Sequence, residues 1–209
     1  MLNQGPTPRP PRWAESLLRM FLAPADRDSV SGDLLEEYRE SIVPERGAGA
    51  NRWYVRQVSG YVLRATGPSA ALVGGILVGR YLLDTLAPVQ HTRGVAHPRS
   101  TLMSGALIAV YAASGCWHAW RTERLRTGVV AAFVTAALGG ALSSLGTILC
   151  LALWHDPRTW RAIDGSGGID EALYGVPLML VVVGSIVGTV GATAGRTTAA
   201  IYGAKTNSA

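Results

Sequence analysis

TGVVAAFVTAALGGALSSLGTILCLALW, residues 127–154, carries no charged side chain over its whole length. A helix needs roughly 20 mostly apolar residues to cross ~30 Å of hydrocarbon, and this run exceeds that. Three more runs of similar character, 67–87, 101–120 and 172–195, are separated from it by short polar stretches. In lipid every backbone polar group must find its partner within the segment, so such runs become spanning helices. The sequence therefore predicts an all-α protein: a small cytoplasmic head of about three helices, then a four-helix transmembrane bundle. The expected divisions are a Pro-rich, disordered N-terminus over 1–10, the head over 11–64, the membrane unit over 65–196 and a cytoplasmic tail over 197–209.

The charges lie mostly outside the spans. The chain has a net charge of +5, a surplus that can mark a nucleic-acid partner when it forms one basic face. Here residues 1–64 set nine arginines against eight acids, so the head is nearly neutral. The surplus belongs to the membrane part, where basic residues orient helices. No nucleic-acid partner is expected. The first sixty residues lack the apolar core of a signal peptide, so none is expected. Arginine supplies every basic residue but Lys205, and Ala and Gly abound, a bias pointing to a GC-rich bacterial genome.

Within the head, Pro11 suits a first helical turn. Trp13, Leu17, Met20 and Phe21, with Leu18 alongside, predict an amphipathic helix ending near Ala23–Pro24, with Arg12, Glu15, Ser16 and Arg19 opposite. A second helix is expected from Pro24–Asp28, with Val30, Leu34, Leu35, Tyr38 and Ile42 as its apolar stripe. Gly32 inside it costs ~1 kcal/mol relative to Ala, which predicts a close crossing of the first two helices there. Residues 44–51 read as a plain loop. A third helix opens at Arg52 and continues into the first span, with Gly67–Pro68 as the expected kink.

Placing the head in the cytoplasm puts Arg121, Arg124, Arg126, Arg196 and Lys205 on the same side as its nine arginines. Only Arg93, Arg99, Arg158 and Arg161 fall on the other side. The positive-inside rule then sets both termini in the cytoplasm. Tyr61, Trp117, Trp120 and Tyr202 fall near the inner interface, and Tyr81, Trp154 and Tyr174 near the outer one. The expected location is a bacterial inner membrane, crossed four times.

Read together, PPRWAESLLR at 10–19, LAP at 22–24, DRD at 26–28, GDLLEEYR at 32–39 and WYVRQV at 53–58 resemble the permease prefix domain 2 family. This is a small helical module preceding permeases akin to the membrane subunits of macrolide-exporter-type ABC systems. The resemblance covers roughly residues 10–65, and the GDLLEEYR run is its most specific part. In the long relatives a permease with a large extracytoplasmic domain follows. Here four short-looped spans follow, so the permease activity does not carry over. What the resemblance implies for this chain is a cytoplasmic docking or assembly module.

Few residues suggest chemistry. Arg80 and Asp84 are four apart in the first span and share a helix face; membrane-embedded charges usually pair or mark a pathway. An interfacial ion pair is the main expectation and an interior polar site the second. Asp33, Glu36, Glu37 and Glu40 line one side of the second helix beside Tyr38. They read as a solvated face or a partner-binding surface rather than a catalytic carboxylate set. Cys116 with His118, and Cys150 with His155, sit near opposite ends of the membrane and cannot form one four-ligand metal site. The rows Gly75/Gly79, Ala136/Gly140/Ser144, Gly139/Ser143, Gly184/Gly188 and Gly191/Gly195 have the spacing that lets helices approach closely in lipid. The only lysine stands in GAKT at 203–206, not in a phosphate-binding loop. No hydrolase or zinc-protease motif occurs.

The expected function is non-enzymatic, without cofactor or metal. The head docks a protein partner, accessory to a permease or ABC-type transport system. The alternative is a small transporter or channel subunit, oligomeric through its glycine rows, with a polar site near Arg80 and Asp84.

Overall fold

The computed structural model describes residues 9–86, 98–153 and 168–206, and among them there is no strand. Helix α1 (Arg12–Phe21) starts after Pro11, whose carbonyl accepts from the amides of Ala14 (3.0 Å) and Glu15 (3.2 Å). It stops because Leu22 and Ala23 turn extended ahead of Pro24, the conformation that a following proline favours. A 3₁₀ turn at Pro24–Asp26 leads into α2 (Arg27–Glu37). The chain then widens into a π-helical turn at Tyr38–Ile42 before a short α3 (Val43–Arg46).

Residues 44–51 are thus not a plain loop. Pro44 opens α3, where its missing N–H is no loss. Gly47, at φ 50°, breaks α3, and a 3₁₀ turn follows at Gly47–Gly49.

Helix α4 (Ala50–Leu86) is 37 residues long, about 55 Å at the usual rise. That is nearly twice what a membrane requires, and its two parts have different work. Ala50, Tyr54 and Val58 close the head core with Ala14, Leu18, Leu22, Tyr38 and Ile42. The same buried line continues through Val62, Thr66, Ala70, Val73 and Leu77 into the bundle. The expected division at 64/65 falls inside this helix, as does Pro68, the place of the expected kink.

Helices α5 (Pro98–Thr122), α6 (Leu125–Leu153) and α7 (Val176–Thr206) complete the bundle, α7 being preceded by a π-helical turn at Glu171–Gly175. With α4 they are four helices long and apolar enough to cross a membrane. Large side chains such as Leu72, Ile108, Phe133, Ile148, Leu178, Ile186 and Val190 point away from the protein. A water-facing surface rarely carries so continuous an apolar cover, and a lipid-facing one requires it.

Inside, the helices meet through small residues. A Cβ on Gly115 of α5 would collide with the Gly188 carbonyl of α7; one on Gly191 or Gly195 would strike the backbone of Ala112 or Cys116. Helix α6 uses two faces. Ala132, Ala136 and Gly140 lie against Gly188, Gly184 and Pro177 of α7, while Gly139 and Gly146 lie against Val73 and Val78 of α4. The hydroxyls of Ser114 and Thr135 join α5 to α6 at 3.1 Å, and Ser144 Oγ donates to the Leu173 carbonyl at 3.0 Å. Most expected glycine rows are therefore consumed within one chain. Gly75 and Gly79 differ, with nothing within 4 Å of a Cβ at either.

Two expectations for the head are overturned. Gly32 is exposed with open space where a Cβ would stand, so α1 and α2 do not cross there. The buried line of α1 is Ala14, Leu18 and Phe21, whereas Trp13 is 61% exposed. The helix is rotated by one residue because the small Ala14, not the bulky indole, lets α1 lie close to its neighbours.

Candidate docking face, polar span residues and the head–bundle joint

The acidic face stands on α2 and the π turn. Asp33, Glu36, Glu37 and Glu40 are all exposed, and among the described residues none has an ion-pair partner. What holds the face in place lies behind it. Val30 and Leu34 pack on the head core, and Tyr38 is buried within it.

The sequence puts Tyr38 both on the apolar stripe of the second helix and with the acids of the partner-binding surface, and the structure keeps the first place. Only 3% of Tyr38 is exposed. Its hydroxyl donates to Asn51 Oδ1 at 2.7 Å, with the Arg9 carbonyl 3.4 Å away. Its ring meets Tyr54 edge-on, centroids 5.6 Å apart. Tyr38 follows Val30 and Leu34 at four-residue spacing and precedes Ile42 by four, so it lies on the apolar stripe that packs into the head core. Tyr38 positions the acidic face rather than forming part of it.

Arg80 is half-buried on α4, one turn before Asp84, and has an interaction partner; the Asp84 side chain lies outside the described residues. Nearby, Arg99 at the start of α5 donates from Nη1 to the Leu83 carbonyl at 3.4 Å. A guanidinium there favours the negative end of a helix. Sequence reading counted Arg99 only as a loop charge.

The joint between head and bundle was not anticipated. Phe21, at the end of α1, packs with Val62 of α4 and Ala131 of α6. It also meets the His118 ring of α5 edge-on at 5.8 Å. Thr127 Oγ1 of α6 donates to the Met20 carbonyl at 2.9 Å, using one of the acceptors left open at the end of α1. His118 is therefore a packing residue here, 5% exposed. Its one sequence signal was its place at the end of a span, next to the Glu123–Arg124 turn.

Cys116 and Cys150 are free thiols, each half-buried, and His155 lies outside the described residues. Among the described residues no cluster of three or more metal-ligating side chains occurs. No family model matches the chain, and neither the curated proteins nor the solved structures contain a significant match.

Proposed function

We propose that this is a non-enzymatic, multi-pass protein of a bacterial inner membrane whose cytoplasmic head docks a protein partner, accessory to a permease or ABC-type transport system. The observation that carries the reading is the acidic face: four exposed carboxylates without ion-pair partners among the described residues, on helical turns fixed from behind by Val30, Leu34 and Tyr38. A face held rigid and left open loses little entropy when a basic surface meets it. The resemblance of residues 10–65 to the permease prefix module favours the same class of partner.

The oligomeric transporter alternative has less behind it. Most of its glycine rows are spent on contacts within the chain, which leaves the half-buried Arg80 as its main support.

Charged contacts at an interface act chiefly on encounter and specificity. The double reversal Glu36→Lys with Glu40→Lys should therefore cut recovery of a permease or ATP-binding subunit from membranes, while the bundle stays folded. Arg80→Ala should leave that recovery intact. Unchanged recovery with the reversed face, together with a phenotype lost on Arg80→Ala, would contradict docking and favour the transporter.

A further inference from the structure

A second feature of the head lies away from the acidic face. Arg12, Glu15, Ser16 and Arg19 of α1, Arg27 of α2 and Arg124 of the α5–α6 turn line one cleft of about 530 Å³, within the usual range of ligand sites. Two neighbouring helices and a turn far off in sequence thus bring four guanidinium groups together. Their acidic counterweights are few. Glu15 stands in the wall, Asp28 is bound to Arg19 at 2.8 Å, and Glu123 adjoins Arg124. Among the described residues, Arg12, Arg27 and Arg124 have no carboxylate within 4 Å. The cleft keeps a surplus of about one positive charge at neutral pH, where arginine is always charged.

Arg27 is held firmly. Its Nε donates to the Arg19 carbonyl at 3.1 Å and its Nη2 lies 3.4 Å from the Leu22 carbonyl, both at the C-terminal end of α1. Its pKa is pulled below the ordinary value, first by burial and then by the neighbouring charges of Arg124 and Arg19. Asp28 and Glu123 offset part of that repulsion, and an anion between the arginines would offset the rest.

The level of the cleft identifies the anion. Arg124 sits in the turn that ends two membrane-length helices, and the exposed indoles of Trp117 and Trp120 stand within two turns of it along α5. Indoles favour the headgroup zone of a bilayer, so the cleft opens where lipid phosphates lie.

We infer that this cleft binds the phosphodiester of an anionic phospholipid, seating the head against the membrane it is joined to. A surplus of one charge suits a singly charged diester. The inference goes beyond partner docking and rests only on the bundle being membrane-embedded.

The test uses the full chain in neutral detergent, where sidedness plays no part, titrated with short-chain phosphatidylglycerol and, separately, phosphatidylcholine. Phosphatidylglycerol should bind more tightly. Arg12→Gln with Arg124→Gln should weaken it about five-fold for each arginine removed. Arg46→Gln with Arg52→Gln, exposed arginines elsewhere in the head, should not. Glu15→Gln removes the acid in the wall and should tighten binding several-fold, a gain that misfolding cannot mimic. Inorganic phosphate in large excess should leave the lipid bound; its displacing the lipid would reassign the cleft to a soluble phosphate. Equal losses in both arginine pairs, equal binding of the two lipids, or weaker binding on Glu15→Gln would each overturn the proposal.

Discussion

The head and the bundle share one helix yet solve packing in opposite ways. Where α4 passes through the head it buries Tyr54 and Val58 against Leu18, Leu22 and Ile42. Within the bundle the closest contacts are glycine on backbone: Gly115 on Gly188, Gly191 on Ala112, Gly195 on Cys116. Water accounts for the difference. In the head, large apolar side chains gain by leaving water, at about 25 cal/mol per Å². In lipid that gain vanishes, since the tails are as apolar as leucine, and helices hold by close approach and by hydroxyl bonds such as Ser114–Thr135. Bulk fills the head core, whereas the bundle sets close glycine contacts beside a core of Val73, Leu77, Tyr111 and Leu180.

Four substitutions can break or sharpen that contrast. The largest effect belongs to the bundle. Gly115→Leu puts a side chain onto the Gly188 backbone, which cannot rotate away, and should cost at least the ~3 kcal/mol at the top of the usual overpacking range. It should show as loss of folded, monodisperse protein in detergent. Gly75→Leu on α4, where a Cβ has open space, should be tolerated in the same assay.

The head should respond to the reverse change. Leu18→Ala opens the core at a residue 1% exposed and should cost about 2–5 kcal/mol. Denaturant unfolding followed by Trp53 fluorescence, in a background with the other five tryptophans replaced by Phe, would measure it. If shrinking Leu18 were harmless and enlarging Gly115 tolerated, the two-solvent account would fail.

The smallest effect concerns Gly32. With nothing near its missing side chain, Gly32→Ala should stabilise the head by up to ~1 kcal/mol through helix propensity alone. A destabilised head would restore the close crossing that the sequence suggested.

The spans were readable because length and lack of charge act on whole segments. Residues 101–120 and 127–154 became Pro98–Thr122 and Leu125–Leu153, a few residues' difference at each end. The glycine rows were legible as packing devices, although the partner of each row was not, because spacing defines a face and not what covers it.

The head was legible only as helices and apolar stripes. Its misreadings have local causes. A one-residue rotation of α1 exposes Trp13 and buries Ala14. Tyr38 stands on the apolar stripe with Val30, Leu34 and Ile42, and that place outweighs its nearness in sequence to the acids. Gly32 fills no contact. The continuation of the third helix into the first span was legible, and the buried line from Val58 through Val62 to Thr66 follows it. The basic cleft was illegible for another reason: Arg124 lies more than ninety residues from Arg27, and only the α5–α6 turn meeting α1 brings them together.

The central claim is that four helices cross the membrane with the head and the Glu123–Arg124 turn on the cytoplasmic side. Single cysteines at Ser100, Asp170, Glu123 and Glu37, in a background of Cys116→Ala and Cys150→Ala, test it most directly with a membrane-impermeant thiol reagent on intact spheroplasts. Cysteines at 100 and 170 should be labelled from outside, and those at 123 and 37 only after the membrane is opened. Labelling of position 123 or 37 in intact spheroplasts, or protection of 100 and 170, would contradict the account.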